Sequence, residues 1–183
     1  MNKRRKIGAI SIFSIVFVIG IVFIFTYTSS YKSLAPNKQY QASYNRYSRI
    51  ITIKNIADDR KCYLSDYENP GFLWSKNSRF LAINFTNSSR RASDIIDLEQ
   101  SLCCTIPDKL AIQALDSKLK TSDNSLNNTC IEVTKWLDNE HVVIEFSWSA
   151  DEIGHNISGW FIYNIQSSSI KELNFIREKN IPN

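Results

Sequence analysis

Residues 74–82 read Trp74-Ser-Lys-Asn-Ser-Arg-Phe-Leu-Ala82, an apolar residue entering a polar turn holding Asn that an alternating strand leaves. The same arrangement stands 40 residues earlier, without a gap, as Leu34-Ala-Pro-Asn-Lys-Gln-Tyr-Gln-Ala42. It returns 62 residues later as Trp136-Leu-Asp-Asn-Glu-His-Val-Val-Ile144. Each copy is followed by a second β-rich run: Ile50–Lys54, Ser93–Asp97 and Gly159–Tyr163. A polar turn and a shorter third run come next, near Lys61–Leu64, Ser101–Ile106 and Ser169–Leu173. β-Branched and aromatic residues bounded by frequent turns predict antiparallel hairpins rather than helices. A repeat of about 40 residues built from four short strands is the signature of sheets stacked one per repeat.

These stretches resemble the β-propeller repeats of the TolB and WD-repeat kind, whose blades carry a Trp-Ser-Pro-Asp-Gly-Lys-Tyr-Leu-Ala-like run. Trp74, Ser75, Phe80, Leu81 and Ala82 match it, and Asp97-Leu98-Glu99 resembles the ending of the strands that follow. Asn164 to Ser168 is similar to that ending in the third copy. The resemblance covers nearly all of residues 34–174. The glycine of the turn is replaced by Lys38, Ser78 and Glu140, and the proline survives only as Pro36. Closed propellers have at least four blades, whereas this chain supplies about three. The expectation is a mainly β domain: a small, unclosed stack of antiparallel sheets with one inserted helix, capped at its ends or paired with another copy. A compact β-sandwich built from the same hairpins is the alternative.

Upstream of the repeats lies a different kind of sequence. Lys3, Arg4, Arg5 and Lys6 precede 21 uncharged residues, Ile7 to Tyr27, dominated by Ile, Val and Phe. As a helix that run is about 31 Å long, matching a bilayer core of about 30 Å. The basic cluster predicts a cytoplasmic tail at 1–6, a transmembrane helix at 7–27, a linker at 28–33 and an extracytoplasmic β domain at 34–183. A cleaved signal peptide is the competing reading, but its apolar run is normally about 7–15 residues and ends at small residues. The chain carries 22 Lys and Arg against 18 Asp and Glu. The four basic residues of the tail account for the whole excess, so the domain is neutral. Nucleic-acid binding, which needs a cationic face on the folded part, is set aside.

Between the second and third copies, Pro107 and Asp108 open a predicted helix with Ala111, Ile112, Leu115 and Leu119 along one side. It either covers an open sheet edge or forms a partner-binding insert. Thr121 to Asn128 reads as a polar loop. Cys62, Cys103, Cys104 and Cys130 all fall in the exported part, where disulfides are permitted. Cys130 with Cys103 or Cys104 is the preferred bridge, buried thiols being the alternative. Their spacing is not that of a zinc site.

No catalytic constellation or cofactor motif emerges. His141 stands at a strand start and His155 in a loop after Asp151 and Glu152. A base at His155 with Asp151 and Ser149 or Ser158 matches no triad of the resembled family. A metal site at Asp151, Glu152 and His155 has no recognisable spacing. The resemblance implies instead a binding face at the end of the stack that carries the loops 45–47, 87–91 and 150–155. Its candidate residues are Arg46, Arg90, Arg91, Asp151, Glu152 and His155. The expected function is a single-pass membrane protein that binds a protein or envelope component, with contact to the bilayer through residues 7–27 and no catalysis. The alternatives are an envelope hydrolase using the 151–155 loop, and an inhibitor or immunity-type protein at the membrane surface.

Overall fold

The computed structural model describes residues 31–87, 90–120, 129–149 and 155–179. They form twelve strands in three four-stranded antiparallel meanders. The first sheet holds β1 (Tyr31–Leu34), β2 (Tyr40–Asn45), β3 (Ile50–Asn55) and β4 (Lys61–Leu64). The second holds β5 (Glu68–Trp74), β6 (Phe80–Asn87), β7 (Arg90–Asp97) and β8 (Leu102–Cys104). The third holds β9 (Cys130–Trp136), β10 (His141–Ser149), β11 (His155–Asn164) and β12 (Ser169–Lys179). Each sheet pairs its strands in chain order, so every repeat is one sheet; no core cluster of the described residues joins the first sheet to the third, so the array is not closed.

Strand alternation decides how the sheets stack, because successive side chains point to opposite faces. On one face of the second sheet, Phe80, Ala82 and Ile95 join Val133, Val142, Ile144, Phe146 and Phe161 of the third sheet in the larger core cluster. On its other face, Leu81, Ile83 and Ile96 join Ala42, Tyr44, Ile51 and Ile53 of the first sheet. The second sheet is therefore covered on both sides, and the outer sheets are each covered on one.

The contacts between sheets repeat with the sequence. Trp74, at the end of β5, donates its indole N–H to Ser33 Oγ of the first sheet at 2.9 Å. Trp136, at the end of β9, donates to the Leu73 carbonyl of the second at 3.1 Å. The turns that follow are also linked: Asn37 N–H donates to Ser78 Oγ and Asn77 N–H to Asn139 Oδ1, both at 3.0 Å. Register shows that Leu34, Trp74 and Trp136 are equivalent, since they pair with Gln41, Leu81 and Val142.

Several expectations need correction. The ungapped third copy is one residue out of step. The turn closes from Ser75 N–H to the Phe80 carbonyl in the second copy, but from Leu137 N–H to the His141 carbonyl in the third. In the longer turns Lys38 and Ser78 adopt left-handed φ values of 60° and 63°, at the positions where the resembled motif has glycine. The shorter turn is held instead by Asp138, whose carboxylate accepts from the N–H groups of Glu140 and His141. The folded domain also begins before residue 34, because 31–34 of the expected linker and domain start form β1. His155 is not in a loop but opens β11, paired with Lys179.

The inserted helix, α1 (Lys109–Gln113), is shorter than predicted. Asp108 caps it by accepting from Ala111 N–H at 2.8 Å. Its buried face is Lys109, Ile112 and Gln113, while Ala111 and Leu115 are exposed. A 3-10 turn at Ser117–Leu119 then returns Leu119 to the core. The Lys109 ammonium lies 5.7 Å from the centre of the Trp148 ring, so α1 covers the part of the third sheet beyond the second. All four cysteines are free thiols, and the expected Cys130 bridge to Cys103 or Cys104 is not formed. Among the described residues no helix is long and apolar enough to cross a membrane. The expected span at 7–27 lies outside them.

Candidate binding surface

In each sheet the second strand ends and the third begins at the same end of the stack. This end holds Arg46 between β2 and β3, and Arg90 and Arg91 at the start of β7. Asp151 and Glu152, between β10 and β11, lie outside the described residues. β1 also starts at this end, since Tyr31 pairs with Tyr44.

Two adjoining clefts run along this end. The first, of about 320 Å³, lies between Tyr31, Tyr44, Arg46, Asn69 and Pro70. The second, of about 240 Å³, runs from Asn69 and Gly71 to Arg91 and Glu132. They meet at Asn69, where β5 breaks register against β6 between Glu68 and Gly71 and Asn69 takes a left-handed φ of 47°. Such a bulge re-aims side chains and ends local pairing, leaving room at the sheet edge. Beyond Arg91 and Glu132 a third, larger groove of about 500 Å³ crosses the outer face of the third sheet past Glu145, Trp160 and Asn174.

Tyr44 of the first cleft and Asn84 of the second are each held by hydrogen bonds. Tyr44 donates its hydroxyl to the Tyr67 carbonyl at 3.0 Å, and Tyr67 donates to Asp94 at 2.6 Å. Burial, then the Asp94 carboxylate, pushes the Tyr67 phenol well above its ordinary range, so it remains a donor. Asn84 bridges the second and third sheets, donating to the Val133 carbonyl at 2.7 Å and accepting from Val133 N–H and the Ser93 hydroxyl. The bridging roles of Asn84, Ser93 and Tyr67 have no mark in the sequence; polar residues inside strands carry no periodic signal that tells a bridge from a solvated face.

The rim is charged and open. Arg49 pairs with Glu68 at 2.7 Å and Arg91 with Glu132 at 3.4 Å. Both pairs are exposed and contribute under about 1 kcal/mol to stability. Tyr47 projects from the β2–β3 turn with 80% of its surface exposed.

Further titratable side chains among the described residues have the following surroundings. Burial raises the Cys103, Cys104 and Cys130 thiols above their ordinary value, with Asp94, Asp97 and Glu132 respectively adding to it. His141 is a turn clamp: Nδ1 meets Asp138 at 2.8 Å and Nε2 meets the Asn164 amide at 3.0 Å. Among the described residues no group of three or more His, Cys, Asp or Glu side chains is placed to hold a metal ion.

No protein-family model and no curated protein matches this sequence. Among solved structures, the chain is similar to Kuenenia stuttgartiensis hydrazine synthase (TM-score 0.43, 16% identity, 81% of this chain and 38% of that one). It is similar to TolB from Acinetobacter baumannii (TM-score 0.43, 11% identity, 79% and 32%). It is also similar to U3-55K (TM-score 0.39, 12% identity, 79% and 38%). The chain thus spans between 32% and 38% of the length of these structures.

Proposed function

We propose that the protein is a single-pass, membrane-anchored binding protein, its propeller-like β domain extracytoplasmic, that engages a protein or envelope component without catalysis. The observation that carries this reading is the continuous open surface from Arg46 past the Asn69 bulge to Arg91 and Glu132. It offers exposed arginines, a protruding tyrosine and the hydrogen-bonded Tyr44 and Asn84. Tyr and Arg are the residue types enriched where interfaces concentrate their energy. The uncharged run at 7–27 and its basic flank support the anchor and its orientation.

The test uses the full-length chain in its own membranes. A photo-crosslinking residue at Tyr47 should capture a discrete partner, and the Arg46→Glu/Arg91→Glu double variant should lower its yield about tenfold by losing electrostatic register. A Lys171→Glu/Arg177→Glu control on β12 should leave the yield near wild type. Equal losses from both reversals, or no crosslinked species in either, would remove this end of the stack as the binding face.

A further inference from the structure

The two outer sheets each leave one face bare, and the two bare faces differ in charge. On the first sheet the register places Lys32, Lys54 and Lys61 on the uncovered face, with no carboxylate among its strands. Asp59 of the β3–β4 turn pairs with Lys54 and with Lys61 and offsets part of that charge. On the third sheet the uncovered face carries Glu132, Glu145, Glu172 and Glu178 against Lys135. Arg91 reaches Glu132 from the second sheet.

The same two faces also hold apolar surface where the internal pattern calls for a neighbour. Trp74 and Trp136 each pack toward the preceding sheet and donate a hydrogen bond to it. Leu34 is the third member of this series, points from the bare face of the first sheet, and is 48% exposed. Tyr63, on the same face, is 64% exposed. The preceding sheet that Leu34 lacks has a counterpart in the third sheet, whose bare face offers Trp160 in its 500 Å³ groove and the exposed Ile176.

We infer that the occupant of both faces is a second copy of this chain, the first sheet of each copy seating on the third sheet of the other. Such an exchange is heterologous within each contact and closes only if the rotation per sheet completes a circle. Rings of four-stranded sheets contain about four to eight of them. Two copies of three sheets give six, inside that range, whereas one copy falls short and three copies exceed it. The twofold axis then runs through the middle of the ring, so both chains enter it from the same side, as two chains anchored in one membrane must. The joining faces are more polar than the buried ones: Gln41, Ser43, Thr52 and Ser147 stand where the inner faces have Ala, Ile and Phe. The association is therefore electrostatic, salt-sensitive and reversible.

The experiment measures the mass of the full-length protein in detergent by sedimentation, across a salt series. A dimer at low ionic strength should give way to monomer near 1 M salt, where the Debye length is about 3 Å. Lys54→Glu/Lys61→Glu should weaken dimerisation at least about tenfold, and so should Glu145→Lys/Glu172→Lys on the opposite face. Combining the two double variants should restore the dimer, which a folding defect in either would not do. A monomer at low salt and high concentration would overturn the inference. A dimer that withstands both reversals would overturn it equally, because its contact would lie elsewhere, as in the apolar N-terminal segment. Crosslinking at Tyr47 reads the proposed partner separately, so either result leaves that reading distinguishable.

Discussion

Asp97 closes the second sheet, and its removal is the sharpest test of how the repeats are held. It sits at the end of β7 with its side chain 5% exposed, and accepts from Arg79 Nη2 at 2.7 Å and from Arg79 Nε at 3.2 Å. Its Oδ1 also accepts from the backbone N–H groups of Glu99 and Gln100 at 3.0 and 3.3 Å. Hydrogen bonds to charged groups contribute about 1.5–3 kcal/mol each and neutral ones about 1 kcal/mol. Arg79 is 24% exposed, so solvent takes up part of its unpaired charge. Asp97→Ala should then cost about 3–5 kcal/mol, the range for breaking a buried pair from one side. Asp97→Asn keeps the turn acceptor and should cost about half of that. Urea unfolding followed by tryptophan fluorescence reads the difference: at a slope of about 2 kcal/mol/M, the alanine variant should shift the midpoint by about 2 M. Burial raises the Asp97 pKa, but the Arg79 guanidinium and the two backbone N–H groups outweigh it and hold it below the usual 3.8. A depressed folded value means that this stabilisation is fully present above pH 3.8 and is lost as the pH falls through that lower value. Asp97→Asn should be correspondingly less acid-sensitive than wild type in that window. A midpoint shift under about 0.5 M for Asp97→Ala would refute the account, since the pair and the turn would then be contributing little.

Two further substitutions probe the third sheet, read by the same denaturation assay. Trp148 is 2% exposed and its indole N–H has no hydrogen-bond partner among the described residues, so Trp148→Phe should cost under about 1 kcal/mol while Trp148→Ala should cost about 3–5 kcal/mol. Gly159 faces the backbone of β12: an added Cβ would meet the Asn174 carbonyl oxygen and come within 2.7 Å of Phe175 Cα. Gly159→Ala should therefore cost at least about 1–3 kcal/mol by overpacking, and an unchanged midpoint would mean that β11 and β12 are not paired in this register.

Much of this architecture was legible because period-2 alternation survives in a single sequence. The third-strand estimate at Lys61–Leu64 coincides with β4, and Ile50–Lys54 lies within β3. Two kinds of feature were not legible. Lengths were hidden where a copy of equal span contained a shorter turn: Trp136 to Ile144 looks ungapped, yet one fewer residue in the turn moves its apolar set to the other face. The β12 strand continues to Lys179, and Phe175 still points inward against the core past the point where the repeat pattern stops. The helical stripe through Leu115 failed because the chain leaves the helix at Gln113, so spacing beyond it no longer predicts a face. Of the candidate surface, Arg46 and Arg91 were readable from their shared position in the repeat. The Asn69 bulge and the Asn84 bridge depend on register between strands, which no local pattern records.

The chain enters the domain at Tyr31, opposite Tyr44 and beside Arg46, and so from the end of the stack that carries the clefts. With residues 7–27 in the bilayer as proposed, residues 28–30 can reach across only about 11 Å even when fully extended. The arginine-bearing end is then turned down toward the lipid headgroups, with little more than a side chain's length of clearance. Whatever docks there must be thin or itself rooted in the membrane; a bulky soluble visitor would be shut out by the bilayer, and lengthening the segment before Tyr31 should admit it.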